Sequence, residues 1–177
     1  ADPALLDLIA KADPGEIYIL SAQEATDLHV VNNGRDRAEW TIEANNGIQY
    51  LRGMQNTMYG MGKAVFYCFR GEITFFSLYE AGQKTAAAIA RGAWSHSIMF
   101  SESQVIPLGR PKKIEARNDY ISSAFDMPQK LVQALYSAHS VGHAMQLAND
   151  APTFIGYRVD IDKRASRRLQ GFIDACR

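Results

Sequence analysis

The sequence predicts an α+β fold, in which a twisted, mainly antiparallel β-sheet or sandwich is packed by a long helix and a C-terminal helix. Of the 177 residues, 47% are hydrophobic and 21% are charged, as in ordinary globular proteins. Short apolar runs separated by glycine and asparagine turns fill the first two thirds, which is typical of antiparallel strands. The length fits one domain at 1–177, with a β-rich part at about 16–106 and an α/β part at about 114–177.

The first fifty residues predict a short helix followed by a three-stranded meander. Asp2 and Pro3 suit the cap and the first position of a helix, which ends near Gly15. Turns of the Asn-Asn-Gly type at 32–34 and 45–47 then separate strand-like segments. The predicted strands are 16–20, 28–31, 38–44 and 48–51.

The segment from Gly53 to Lys63 interrupts this pattern, because three glycines in it weaken either regular structure. We therefore predict a mobile loop there. A hairpin follows, with its turn at Arg70-Gly71. The predicted elements beyond the loop are strands at 64–69, 73–79 and 93–100 and a segment at 84–90 that fits helix or strand.

The C-terminal third predicts a linker at 107–113 and then a long helix from Asp126 to about Ala148. A strand at 153–161 follows. Asp162 caps the last helix, whose apolar residues fall at helical spacing and place Cys176 on the buried face.

The chain has two cysteines, Cys68 and Cys176, without zinc-ligand spacing. They are either two separate buried thiols or one disulfide, and we favour the disulfide because both fall on inward faces. A disulfide favours an oxidising compartment, so we expect a periplasmic or secreted protein. The absence of an Asn-x-Ser/Thr site favours a bacterial periplasm. The start at Ala1-Asp2-Pro3 fits a mature end or a vector residue equally well.

Two classes of partner are disfavoured by composition. The formal net charge is zero, whereas nucleic-acid binders usually carry a basic excess. No apolar run approaches the roughly 18 residues that span a bilayer. The oligomeric state stays open.

A metal site is the alternative function that the sequence suggests. His139 and His143 lie four apart on the predicted helix, which is the spacing of a helical zinc pair, and His29 or His96 could complete it. No glutamate accompanies the pair to activate water. Met54, Met58 and Met61 offer soft thioether ligands for copper, as a second metal alternative.

No nucleophile elbow or phosphate loop is present, so we assign no catalytic residue and expect no cofactor. Methionine and tyrosine in the predicted loop instead suit an adaptable partner-binding surface. The residues of this surface are Met54, Met58, Tyr59 and Met61. We therefore expect a non-enzymatic exported protein that binds another protein, such as an accessory subunit, an inhibitor or an immunity protein.

The ending from Arg168 to Cys176 carries an L-x-G-F-x-x-A pattern followed by the cysteine. It resembles small exported proteobacterial proteins of the invasion-associated locus B family. In similar proteins an early strand contains a tryptophan, here Trp40, and a central strand contains a cysteine, here Cys68. This chain lacks the additional closely spaced cysteines of that family. Tyr67-Cys68 with Gly71 is also similar to the opening of periplasmic lysozyme inhibitors, without their Ser-Gly-x-x-Tyr loop. The resemblance implies an α+β fold and export.

Overall fold

The computed structural model describes residues 21, 35–45, 47–101, 104–147 and 154–176. The chain divides into two units, Ala1–Asp36 and Arg37–Arg177. In the first unit the described residues, Ser21, Arg35 and Asp36, are exposed. The predicted helix at 2–15, the predicted strands at 16–20 and 28–31 and the turn at 32–34 lie outside the described residues. The architecture below belongs to the second unit.

The described elements are antiparallel strands and short helices, which alternate along the chain. In order they are β1 (Glu39–Asn45), β2 (Ile48–Thr57), β3 (Gly60–Phe69), β4 (Glu72–Glu80), α1 (Gln83–Arg91), β5 (Ser95–Phe100), β6 (Gln104–Pro107), β7 (Lys113–Arg117), β8 (Tyr120–Met127), α2 (Gln129–Tyr136), β9 (Ser140–Gln146), β10 (Ile155–Asp160) and α3 (Lys163–Ala175).

The described strands form two sheets. The six-stranded sheet has the order β1-β2-β3-β4-β8-β7, and the four-stranded sheet has the order β10-β9-β5-β6. Every pairing is antiparallel. The prediction of an α+β fold built on antiparallel sheets is therefore confirmed. Strand β8, from the predicted C-terminal part, pairs with β4 of the predicted β-rich part.

Tight turns set the register of the six-stranded sheet. Arg70 and Gly71 have φ of 53° and 80° and join β3 to β4, as the sequence predicts. Asn118, with φ of 53°, lies in the turn between β7 and β8. The short polar side chain of asparagine tolerates this left-handed conformation. The β7–β8 hairpin was not predicted from the sequence, because β7 is mainly polar and two serines interrupt the apolar residues of β8.

The core lies between the sheets and under the helices. A row of buried side chains crosses the inner face of the six-stranded sheet, each directly paired with the next on the neighbouring strand: Leu51, Phe66, Phe75 and Phe125. The helices add their apolar stripes to the same cluster. Those helical residues are Ala86 and Ile89 from α1, Leu131 and Leu135 from α2, and Ala165, Leu169, Phe172 and Ile173 from α3.

A disulfide joins Cys68 of β3 to Cys176 at the end of α3 and closes a separation of 108 residues. This confirms the predicted pairing. Asp162 caps α3 as predicted, since its Oδ1 accepts a hydrogen bond from Ala165 N at 2.7 Å. The cap closes the first turn of α3, and the disulfide holds the other end of the helix to β3.

The predicted long helix at 126–148 is wrong. Helix α2 ends at Tyr136, and Ser140–Gln146 is the strand β9, which pairs with both β5 and β10. A side chain at Gly142 would meet the carbonyl oxygen of Tyr157, so the glycine lets the two strands approach closely. Local spacing favoured helix, and strand pairing with distant segments overrode it.

The predicted loop at 53–63 is also wrong, because β2 and β3 run through it as a hairpin with only Met58 and Tyr59 in the turn. The glycines are accommodated by rings that cover them. A Cβ at Gly53 would stand 2.6 Å from the Trp40 ring. At Gly62 a Cβ would meet the Tyr157 ring. The rings occupy the space that side chains would need.

Within the part of the chain that the structure describes, no helix has both the length and the apolar character needed to cross a bilayer.

Candidate functional site

The tip of the β2–β3 hairpin carries the most exposed large hydrophobic side chains among the described residues. Met58 and Tyr59 are 74% and 75% exposed. The backbone beneath them is held in place: Tyr79 Oη donates to the Tyr59 carbonyl oxygen at 2.7 Å, and Thr57 Oγ1 accepts from Tyr59 N at 3.2 Å. The tip therefore presents apolar side chains from an ordered turn.

Beside the tip, the outward-facing side of β2, β3 and β4 forms an apolar and aromatic surface, which we call the outer face. Strand alternation places Met54 and Met61 on this side, together with Tyr67, Phe69 and Phe76. Phe69 is 50% exposed and Phe76 is 37% exposed. Two of the sequence-predicted partner-binding residues thus lie on the outer face, and the other two lie at the adjoining tip.

Ring contacts organise the outer face. Tyr67 stacks on Phe69 with centroids 6.2 Å apart and meets Phe76 edge-on at 6.4 Å. The Arg70 guanidinium lies 4.9 Å from the Phe69 ring centroid. These geometries are favourable for aromatic and cation–π pairs. The rings are therefore packed against one another on the surface of the sheet.

A polar cluster borders the rings at β1. Glu43 accepts from Tyr50 Oη at 2.7 Å, from Thr41 Oγ1 at 2.7 Å and pairs with Arg52 at 2.7 Å. The hydrogen bond from Tyr50, then that from Thr41, lowers the pKa of Glu43 below its ordinary value. The same bond to Glu43 raises the pKa of Tyr50. These contacts fix the orientation of Arg52 on the outer face.

The structure separates the two histidines that were predicted to share a helix. His139 is exposed in the segment before β9, whereas His143 is fully buried in β9. The premise of a helical His139/His143 ligand pair is therefore wrong. Across residues 21, 35–45, 47–101, 104–147 and 154–176, no cluster of three or more His, Cys, Asp or Glu side chains is arranged to hold a metal ion. His29 lies outside those residues, and the copper alternative with Met54, Met58 and Met61 stays a prediction.

Instead, His143 belongs to a buried polar chain between the sheets. Its Nδ1 lies 2.7 Å from Ser77 Oγ on β4, and its Nε2 lies 3.1 Å from His96 Nδ1 on β5. The rings of Phe75 and Phe125 enclose the pair, with Phe125 centred 5.3 Å from His143. Each sheet thus contributes polar atoms that satisfy the other in an aromatic core.

Burial determines the protonation state of the two histidines in this buried polar chain. It lowers the pKa of His143 to about 3, with the neighbouring His96 adding to the shift. Burial also lowers the pKa of His96. Both rings are therefore neutral at physiological pH, and the Ser77–His143–His96 chain carries no charge. Sequence reasoning missed this contact because 47 residues separate the two histidines.

The outer face was also missed as a unit. Its one signal in the sequence is that β3 and β4 carry aromatic residues at both odd and even positions, such as Phe66 beside Tyr67 and Phe75 beside Phe76. Alternating strands that bury one face should be polar on the other. Aromatic residues on both faces therefore indicate that the second face also makes contacts.

No protein-family model, curated protein sequence or solved structure matches this chain. Functional inference consequently depends on the geometry described above.

Proposed function

We propose that this chain is a non-enzymatic, exported protein that binds another protein through the outer face and the β2–β3 hairpin tip. The chain would act on that partner as an accessory subunit, an inhibitor or an immunity protein. The observation that carries the proposal is the exposure of large apolar side chains on neighbouring strands: Met58 and Tyr59 at the hairpin tip, and Phe69 and Phe76 on the outer face.

The composition of this surface suits a protein interface. Tyrosine, arginine, phenylalanine and methionine are enriched in interfaces relative to other surfaces. Tyr67 and Phe76 are central on the outer face, and Arg52 borders them with its side chain 32% exposed. Binding energy in interfaces concentrates in such central aromatic and arginine residues.

Pre-organisation supports the same proposal. The tip is held by Tyr79, and Arg52 is held by Glu43. A surface whose side chains are already ordered loses less conformational entropy when a partner binds. We therefore expect tighter binding than a mobile loop of the same residues would give.

Export is supported by the Cys68–Cys176 disulfide, because disulfides persist in oxidising compartments such as the periplasm. The resemblance of the C-terminal ending to the invasion-associated locus B family supports the same location.

Site-specific photo-crosslinking in the envelope fraction of the source organism tests the proposal. A photoreactive phenylalanine analogue in place of Phe76, or in place of Tyr59, should crosslink to one protein of defined mass. The same analogue in place of Arg164, which is exposed on α3, serves as the control and should not. Crosslinks from Arg164 alone, or none from either test position, would show that the outer face is not the binding surface.

A further inference from the structure

A second feature lies away from the outer face: a cleft of about 770 Å³ beside the start of β5 and the end of β6. Most of its wall is apolar, and three side chains, Trp94, His96 and Arg110, contribute nitrogen atoms. The main wall residues are Trp94, His96, Pro107, Arg110, Ile114 and Leu147. This is the composition of a small-molecule site, in which an apolar wall surrounds a few polar groups.

His96 brings the buried polar chain to this cleft. Its side chain and backbone together are 4% exposed, and its Nδ1 is occupied by His143. Among the described residues, the enclosed side-chain polar atoms without a partner are Ser123 Oγ and Arg158 Nε. Among the same residues His96 Nε2 also has no hydrogen-bond partner, but it is not one of these two enclosed atoms. It is therefore the ring nitrogen of His96 that a ligand in the cleft can reach.

The direction of the hydrogen bonds in the Ser77–His143–His96 chain determines whether His96 Nε2 carries a proton. With both rings neutral, each imidazole carries one N–H, so the hydrogen bonds run either from Ser77 outward or toward Ser77. The Ser77 hydroxyl also hydrogen-bonds the Tyr157 hydroxyl, so its proton has an acceptor in either direction. In the outward direction Ser77 donates to His143 Nδ1, His143 Nε2–H donates to His96 Nδ1, and His96 presents an N–H at Nε2. A carboxylate in the cleft can only accept hydrogen bonds, so its binding selects this outward direction.

Arg110 supplies the charge in the cleft. It is exposed, and within the ranges that the structure describes it forms no ion pair or hydrogen bond. Gly109, with φ of 73°, precedes it and Pro111 follows it, so the backbone position of Arg110 is narrowly set. An exposed guanidinium and an imidazole N–H on the wall of one cleft suit an oxyanion with two acceptor oxygens.

We propose that this cleft binds a small organic carboxylate, whose oxygens accept hydrogen bonds from His96 Nε2–H and Arg110. The apolar body of the ligand lies against Trp94, Ile114 and Leu147. An inorganic oxyanion would leave these apolar residues uncovered, so the wall favours a carboxylate with an aromatic or aliphatic body. This site is independent of the proposed protein-binding surface.

Calorimetric titration of the whole protein with benzoate and with hexanoate tests the proposal. At least one of the two should bind one-to-one, and benzamide, which lacks the charge, should not bind. Arg110→Gln should weaken binding by about tenfold or more, because a charge-assisted hydrogen bond is lost. Arg110 is exposed, so this variant is expected to fold. Arg164→Gln, an exposed arginine outside the cleft, is the matched control and should bind as the wild type does.

Nitrogen-15 spectra of the histidine rings give a readout besides affinity. Protein saturated with the carboxylate should show His96 and His143 as Nε2–H tautomers, and the Nε2 signal of His96 should shift from its position in the free protein. Three results would overturn the proposal: no binding of either carboxylate at about 10 mM, binding that Arg110→Gln leaves unchanged, or inorganic phosphate that binds as tightly as the carboxylates.

Discussion

The buried histidine His143 should make the stability of the protein depend on pH. Burial lowers its pKa to about 3, whereas its ordinary value is 6.5. Between these values the unfolded chain binds a proton that the folded protein excludes, so the free energy of unfolding falls as pH falls. The stabilisation is complete above about pH 6.5 and is lost progressively down to about pH 3. Burial shifts the pKa of His96 in the same direction.

The magnitude follows from the size of the shift. Each pH unit below the unfolded-state pKa costs about 1.4 kcal/mol for one proton. Going from about pH 7 to about pH 4.5 should therefore remove roughly 2–3 kcal/mol through His143. Urea unfolding at the two pH values, followed by the fluorescence of Trp40 and Trp94, measures this difference with the disulfide intact.

Two variants isolate the contribution of His143. His143→Gln should be less stable at both pH values, and its pH dependence should be smaller than that of the wild type by about 2–3 kcal/mol. His139→Gln, whose side chain is exposed, should keep the full pH dependence. Equal pH dependence in the wild type and His143→Gln would refute the assignment of His143 as a buried neutral ring.

Two further predictions concern stability. Reducing the Cys68–Cys176 disulfide, which spans 108 residues, should lower the free energy of unfolding by about 4–5 kcal/mol. The intact mass of the protein should rise by about two daltons on reduction. Two alkylatable thiols before reduction would contradict the pairing. Gly62→Ala should destabilise the protein by about 1–3 kcal/mol, because the added methyl group meets the Tyr157 ring. Gly171→Ala on α3 has open space around it and should stabilise the protein by about 0.5–1 kcal/mol, because alanine favours a helix more than glycine does. Thermal melts of both alanine variants check this pair, and equal effects would argue against a crowded Gly62.

Local signals in the sequence were enough for several elements. The hairpin of β3 and β4 follows from alternation and from the Arg70-Gly71 turn, which has positive φ at both residues. The Asp162 cap and the spacing of α3 placed Cys176 on a buried face, and alternation placed Cys68 on the matching face of β3. The disulfide could be predicted because two independent periodicities agreed.

Elements that depend on distant partners could not be read from local patterns. The segment at 140–146 has apolar residues that suit a helix, yet it becomes a strand because β5 and β10 flank it. Gly53 and Gly62 appeared to break regular structure, but each lies under a ring from another strand. The ring over Gly62 belongs to Tyr157. Its hydroxyl also donates a hydrogen bond to the carbonyl oxygen of Lys63, which is 94 residues away in the sequence.

The same distinction applies to the candidate site. Composition pointed to Met54, Met58, Tyr59 and Met61; the structure places Met54 and Met61 on the outer face and the other two at the hairpin tip. Composition did not point to Tyr67, Phe69 or Phe76, because only the pairing of β2, β3 and β4 shows that these rings share a side. The His96–His143 contact likewise requires the register of β5 against β9.

The affinity of the crosslinked partner for outer-face variants tests the central claim most directly. Phe69→Ser with Phe76→Ser removes two exposed rings, so we expect binding to weaken by about 1–3 kcal/mol for each ring that is a hot spot. Thermal melting should change little, since both side chains are partly exposed. Arg164→Ser on α3 should bind as the wild type does. A double variant that stays folded and binds with unchanged affinity would contradict the claim that the outer face is the docking surface.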